Sequence, residues 1–334
     1  MNNKLLLIGL CIILLAVPVL AEQPWDGNNN ATTKYILNIT TTHSIINENY
    51  TFKMNVNGSD LNLDATCSDL FIVYQDSIEV DRYIEGDCTS AQKDGLNVSW
   101  KMRASGTINA NTSDEDWSIW TDGIGGIVPS DNEFLVYTFF DDFNALTIND
   151  SKWDCDGPCY DTIVSTQPGM AMCAKDSNWG DTMRTAPNFD GDWEIKVDVN
   201  ITDGGGNTAG WGWCPASSVG LGGDACLTAG DNFRRLGSFS PASNLTMRRA
   251  GSQFESSPSF PNGTFFNSTI RKLYYGSQNG TWQWGGVFGG ATKYNNNSAM
   301  TDSKFFCGQT DGYAHAIQLD YVAIYGVVPF NPSF

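Results

Sequence analysis

Residues 192–199 read Asp192-Trp193-Glu194-Ile195-Lys196-Val197-Asp198-Val199. Apolar and charged side chains alternate at every step, which is the signature of a β-strand with one buried and one wet face. The same period recurs elsewhere. Tyr50, Phe52, Met54 and Val56 alternate with Thr51, Lys53 and Asn55. Leu96, Val98, Trp100 and Met102 alternate with Asn97, Ser99 and Lys101. Such strands belong to antiparallel sheets packed on one side only. The continuous apolar runs Phe71-Ile72-Val73-Tyr74 and Val322-Ala323-Ile324-Tyr325 predict strands lying deeper in a sandwich. Glycine clusters such as Gly204-Gly205-Gly206 supply turns. A helical period is found only in the leading residues. The expected class is all-β, as two antiparallel β-sandwiches.

Those leading residues set the compartment. Lys4 precedes an apolar run from Leu5 to Leu20, and Val19-Leu20-Ala21 provides small residues before Glu22. This is the layout of a cleaved secretory signal over residues 1–21. Cleavage leaves 334 − 21 = 313 residues. No later stretch approaches the ~20 apolar residues of a spanning helix, so no membrane span is expected after cleavage. Residues 22–32 read as a flexible N-terminal segment and 328–334 as a C-terminal tail.

Cysteine usage fits export. Of nine cysteines, Cys11 lies in the signal, leaving Cys67, Cys88, Cys155, Cys159, Cys173, Cys214, Cys226 and Cys307. An even number in an exported chain reads as disulfides. Proximity in sequence favours Cys67–Cys88, Cys155–Cys159 and Cys214–Cys226, with Cys173–Cys307 as a long-range tie, although eight cysteines allow about a hundred pairings. Asn-X-Ser/Thr sequons occur at Asn30, Asn38, Asn49, Asn57, Asn97, Asn111, Asn149, Asn200, Asn244, Asn262, Asn267, Asn279 and Asn296. Chance alone would give roughly five, so a glycosylated surface protein is expected. The alternative is an Asn- and Thr-rich β-protein that is never modified.

Charge excludes several functions. Lys plus Arg number 19 against 37 Asp plus Glu, a net charge of −18, which repels phosphate backbones and anionic headgroups. No nucleic-acid partner is expected. The two histidines, His43 and His315, lie far apart and form no metal-ligand spacing.

Two segments carry a resemblance. Ser68-Asp69-Leu70-Phe71-Ile72-Val73-Tyr74, Glu79-Val80-Asp81-Arg82-Tyr83-Ile84-Glu85, Ile108-Asn109-Ala110-Asn111-Thr112-Ser113 and Val136-Tyr137-Thr138-Phe139-Phe140 mark residues 33–138. That region resembles an uncharacterised extracellular module of archaeal and bacterial surface proteins, which has no assigned chemistry. Asp141-Asp142-Phe143 and Asp320-Tyr321-Val322-Ala323-Ile324-Tyr325 open and close residues 139–327. That second region resembles a concanavalin A-like, laminin-G-like jelly roll. The resemblance implies a fold shared by lectins and glucanases, so fold alone decides no activity.

Three kinds of chemistry could reside on the jelly roll. A retaining glucanase needs two carboxylates about 5 Å apart. The nearest segment places Asp192, Glu194 and Asp198 on one face, but Lys196 stands where a bridging aspartate is needed. Its charge is expected to lower the carboxylate pKa values, against the needs of an acid catalyst. No catalytic residue is assigned. For ligand binding, Trp211/Trp213 and Trp282/Trp284 sit two apart, each pair on one strand side, with Asp231, Asn232 and Gln283 nearby to hydrogen-bond sugar hydroxyls. The bland alternative is that these tryptophans fill the core. For metal, Asp142 and Asp320 are the expected side-chain ligands of a structural Ca2+ joining first and last strands.

The resulting expectation is a secreted or cell-surface carbohydrate-binding or adhesion protein, not an enzyme, whose partner is an extracellular glycan or a surface protein. A structural surface-layer or adhesin role stays open as the alternative, and a jelly-roll glycosidase as a lesser one.

Overall fold

The computed structural model describes residues 31, 33–41, 45–48, 50–86, 88–89, 94–102, 106–121, 131–144, 148–149, 151–155, 171–172, 182–201, 209–216, 226, 231–235, 245–249, 252–256, 265–275, 278–286, 292–294, 302–309 and 317–327. The signal segment 1–21 and the tail 328–334 lie outside them. Among the described residues no helix is long and apolar enough to cross a membrane. The chain is all-β and divides into two compact units, Met1–Tyr137 with Phe330–Phe334, and Thr138–Pro329.

The first unit contains β1 (Thr33–Thr41), β2 (Thr51–Asn57), β3 (Phe71–Tyr74), β4 (Ile78–Val80), β5 (Arg82–Glu85), β6 (Asp94–Lys101) and β7 (Thr112–Thr121). One sheet runs β1-β7-β3-β4 and the other β2-β6-β5, all antiparallel. The alternation read from the sequence holds: Phe52, Met54 and Val56 of β2 and Leu96, Val98 and Trp100 of β6 are buried. Phe52 stacks on Trp100 at 5.2 Å and meets Trp117 of the facing sheet at 5.5 Å, so this aromatic trio joins the two layers. Cys67 is bonded to Cys88. The loop before β3 is tied by Arg82, 1% exposed, whose Nε donates to the Leu70 carbonyl at 2.7 Å and Nη2 to that of Cys67 at 2.8 Å.

A short helix α1 (Glu133–Val136) closes this unit. Sequence periodicity could not reveal it, since a single turn has no repeat; the signal present was Asn132, whose side chain caps the Phe134 N–H.

The second unit contains β8 (Phe139–Asp141), β9 (Trp153–Cys155), β10 (Ala171–Met172), β11 (Thr182–Thr185), β12 (Phe189–Asp190), β13 (Trp193–Ile201), β14 (Ala209–Pro215), β15 (Asp231–Arg235), β16 (Leu245–Arg249), β17 (Ser252–Ser256), β18 (Phe265–Tyr275), β19 (Gln278–Gly286), β20 (Thr292–Tyr294), β21 (Asp302–Gln309) and β22 (Ile317–Gly326). Seven strands form one sheet, β10-β22-β13-β18-β19-β20 with β8 on β22. Eight form the other, β17-β16-β15-β14-β21-β11-β9 with β12 on β21. The chain passes repeatedly between the layers and its first strand pairs with its last, which is the wrap of a jelly roll. The core lies between the sheets: Trp193, Ile195, Val197 and Val199 of β13 and Val322 and Ile324 of β22 face Trp211, Trp213 and Phe305.

Candidate functional site

The tryptophans of β14 are core. Trp211 and Trp213 are 0% exposed, which corrects their assignment as ligand-binding residues. Strand alternation explains it: Gly-Trp-Gly-Trp turns both indoles inward, where the cavity between the sheets needs bulk. Trp211 donates its Nε1–H to Ser268 Oγ at 3.3 Å on the opposite sheet and meets Phe266 at 6.1 Å. Trp213 meets Phe189 at 5.9 Å, and the Lys272 ammonium stands 5.2 Å from its ring. Trp282, Gln283 and Trp284 align on β19 with Lys272, Arg271 and Ile270 of β18, and Asp231 and Asn232 on β15 with Trp213 and Gly212. The side chains of these five residues lie outside the described part of the structure.

The same alternation turns glycines to the other side of β14, where they are buried. Gly210 and Gly212 fall on its outer side, opposite Gly308 and Phe306 of β21 and Arg234 and Asn232 of β15. Glycine in a strand interior marks a place where something packs close to the sheet backbone, and Gly210, Gly212 and Gly308 are all buried. Beside them stand Arg184, 8% exposed, and the Lys304–Asp154 ion pair at 2.6 Å. The Cys214–Cys226 disulfide packs on Phe306 as a small second core on this side. Cys307 is also disulfide-bonded and buried, whereas Cys159 and Cys173 lie outside the described residues. Arg184 and Lys304 carried no signal in the sequence, since they meet Asp154 only through the pairing of β9, β11 and β21.

The seven-stranded sheet's outer face carries Glu194 and Asp198, two of the carboxylates that the sequence sets on one strand face. Glu194 is 9% exposed and engaged: Arg271 Nε donates to it at 2.6 Å and the Tyr325 hydroxyl donates to its other oxygen. Asp198 behaves unlike the expectation for a carboxyl beside lysine. Burial and then the nearby Asp320 charge push its pKa up to about 6, outweighing the opposing pull of Lys196. Lys196 instead places its ammonium 5.8 Å from the Tyr321 ring centre.

The Asp320 pKa is raised by burial and by the charge of Asp142, and the pairing of Asp141 with Val322 sets the two residues on neighbouring segments. Both Asp142 oxygens already accept bonds from Asn144, its backbone N–H and its Nδ2. Among the described residues no group of three or more acidic, cysteine or histidine side chains forms a metal cluster. A cation beside Asp142 and Asp320 would have to draw its remaining ligands from backbone carbonyls or water.

The sequons separate by exposure. Asn38, Asn57, Asn97, Asn111, Asn149 and Asn267 are exposed, while Asn200 is 7% exposed with its Nδ2 donating to Gln318 Oε1 at 2.9 Å. Asn30, Asn49, Asn244, Asn262, Asn279 and Asn296 are outside the residues whose side chains are described.

No protein-family model and no curated protein matches the chain, so the resemblance of residues 33–138 to a surface-protein module gains no support there. Solved structures similar to the chain include the carbohydrate recognition domain of Emp47p, at TM-score 0.42 and 7% identity over 56% of this chain and 94% of that one. The endo-beta-1,3-glucanase from Pyrococcus furiosus is similar at TM-score 0.41 and 11% identity over 58% and 95%. Basic winged bean lectin is similar at TM-score 0.40 and 10% identity over 57% and 99%.

Proposed function

We propose that this is an exported protein that binds carbohydrate without turning it over, at the outer face of the eight-stranded sheet. The reading rests on the polar cluster of Arg184, Lys304 and Asp154 on that face. These three stand together beside the buried glycine backbone, and their charged groups could bond hydroxyls. Turnover is disfavoured by how the described carboxylates are used: Asp154 is held by Lys304 and Asp302 accepts from Asn188 Nδ2 at 3.1 Å. A glycan array tests the reading, with Lys304→Ala as the control that removes a polar group from the face. Binding by the wild type that disappears in a folded variant supports it. Failure of the wild type to bind any glycan removes it, and release of reducing ends from a β-glucan would transfer the site to the hydrolases. A structural Ca2+ on Asp142 and Asp320 is proposed alongside, as a clasp and not a participant.

One observation favours the adhesin alternative. Phe134 and Leu135 on α1 are each 49% exposed and adjacent, an apolar pair suited to a protein contact.

A further inference from the structure

We infer that Asn267 carries an N-linked glycan whose first sugar seats against Tyr321, and that Asn200, in an equivalent sequon one strand away, is never modified. This rests on the exported reading above and goes beyond it by choosing between sites.

Register fixes the geometry. On the outer face of the seven-stranded sheet, Asp198 of β13 lies between Tyr321 of β22 and Asn267 of β18. Tyr321 therefore spans β13, because its hydroxyl donates to Asn267 Oδ1 at 2.6 Å. Its ring lies beside Phe140, with centres 6.1 Å apart and planes 22° apart, and stays half-buried. Asn267 itself is exposed. Its Oδ1 is turned toward the tyrosine, which leaves Nδ2 as the attachment atom next to an aromatic surface. Phe140 is stacked beside the ring and the Lys196 ammonium stands 5.8 Å over it. The first sugar would therefore meet the exposed edge of Tyr321, with its C–H groups against the ring and Lys196 bordering its hydroxyls.

Asn200 offers the contrast. It occupies the same face of β13, but the residue is only 7% exposed and its Nδ2 donates to Gln318 Oε1. A glycan there would break that bond and have no path outward. Both sequons satisfy the sequence rule, and only the fold distinguishes them.

The transfer itself is ordinary. Nδ2 of Asn267 attacks the anomeric carbon of a polyprenyl-pyrophosphate-linked oligosaccharide. The carbon–oxygen bond to phosphate breaks, a carbon–nitrogen bond forms, the pyrophosphate leaves with the electron pair, and the amide proton passes to base.

The full chain, secreted from insect cells behind a host leader, is digested and treated with peptide-N-glycosidase in heavy-oxygen water, and site occupancy is read by mass spectrometry. Occupancy at Asn267 with none at Asn200 is expected. An empty Asn267, or a modified Asn200, overturns the inference. Export is imposed by the host here, so failure leaves the exported reading untouched; that reading fails separately if native cells retain the chain in the cytosol. The seat is tested by enzymatic deglycosylation of folded protein. The glycan is expected to raise the melting temperature by about 2 °C, a gain kept in Tyr321→Phe and lost in Tyr321→Ala. An equal gain in all three would show a glycan that never touches the ring.

Discussion

Lys272 of β18 reaches across the sandwich to donate to the carbonyl oxygen of Phe189 in β12, 2.6 Å away, and so ties the seven-stranded sheet to the eight-stranded one. The ammonium also donates to Ser303 Oγ of β21 at 2.7 Å, and the residue is 2% exposed. A lysine so placed is unusual, since burial of its charge must be offset by those bonds and by the Trp213 ring.

This tie makes stability depend on pH. Burial lowers the Lys272 pKa to about 8 from 10.5, against the opposing pull of Asp190, Asp192 and Asp302. The unfolded chain binds the proton more tightly, so the burial cost is complete below the folded value and fades as pH rises from about 8 toward 10.5. The melting temperature of the wild type relative to Lys272→Met is expected to climb through that window. A difference that stays flat in differential scanning calorimetry would show a fully solvated amine.

Trp213→Ala is expected to cost about 3–5 kcal/mol by opening a cavity between the sheets. Urea denaturation followed by tryptophan fluorescence measures it. A neutral result would mean that the indole is not enclosed, and would return it to the candidate binding residues.

Arg82→Met should destabilise the first unit by about 3 kcal/mol, because it leaves the Leu70 and Cys67 carbonyls and the Asp131 carboxylate, 3.3 Å from Nη1, without their cation. Arg82→Lys is expected to restore little, since one ammonium cannot reproduce the fork. Equal stability of the lysine variant in chemical denaturation would argue that charge alone matters.

The Asp142–Asp320 pair predicts a response to calcium. Added Ca2+ is expected to raise the melting temperature and EDTA to lower it, with Asp320→Asn abolishing both effects. A curve indifferent to chelation would leave the pair as end-capping contacts. Asp198 supplies a separate signature: its pKa lies above the ordinary 3.8, so stability is lost as pH rises from there through about 6. Asp198→Asn should therefore stabilise near neutrality and have little effect at pH 4.

Much of this architecture could be read from the chain. Period-two alternation located β2, β6 and β13 because each buries one face only, and proximity was enough to pair Cys67 with Cys88 and Cys214 with Cys226. The site was less legible. Alternation says that Trp211 and Trp213 share a side but not which side, since sheet packing decides that, and the choice went inward. Lys196 sits two residues from Asp198 in sequence, yet it is Asp320, more than a hundred residues later, that joins burial in raising the carboxyl. The Lys272 tie was invisible for a like reason: its partners Phe189 and Ser303 become neighbours only when the two sheets close.

The pairing of β8 with β22 has a mechanical consequence. Phe139 lies opposite Ile324, and Asp141 opposite Val322, so the chain enters and leaves the second unit at the same end of two antiparallel neighbours. A pull on the two ends loads these rungs in series, opening them like a zipper tooth by tooth, where a shear geometry would strain them all at once. At a surface under flow, this unit would yield first at its own seam.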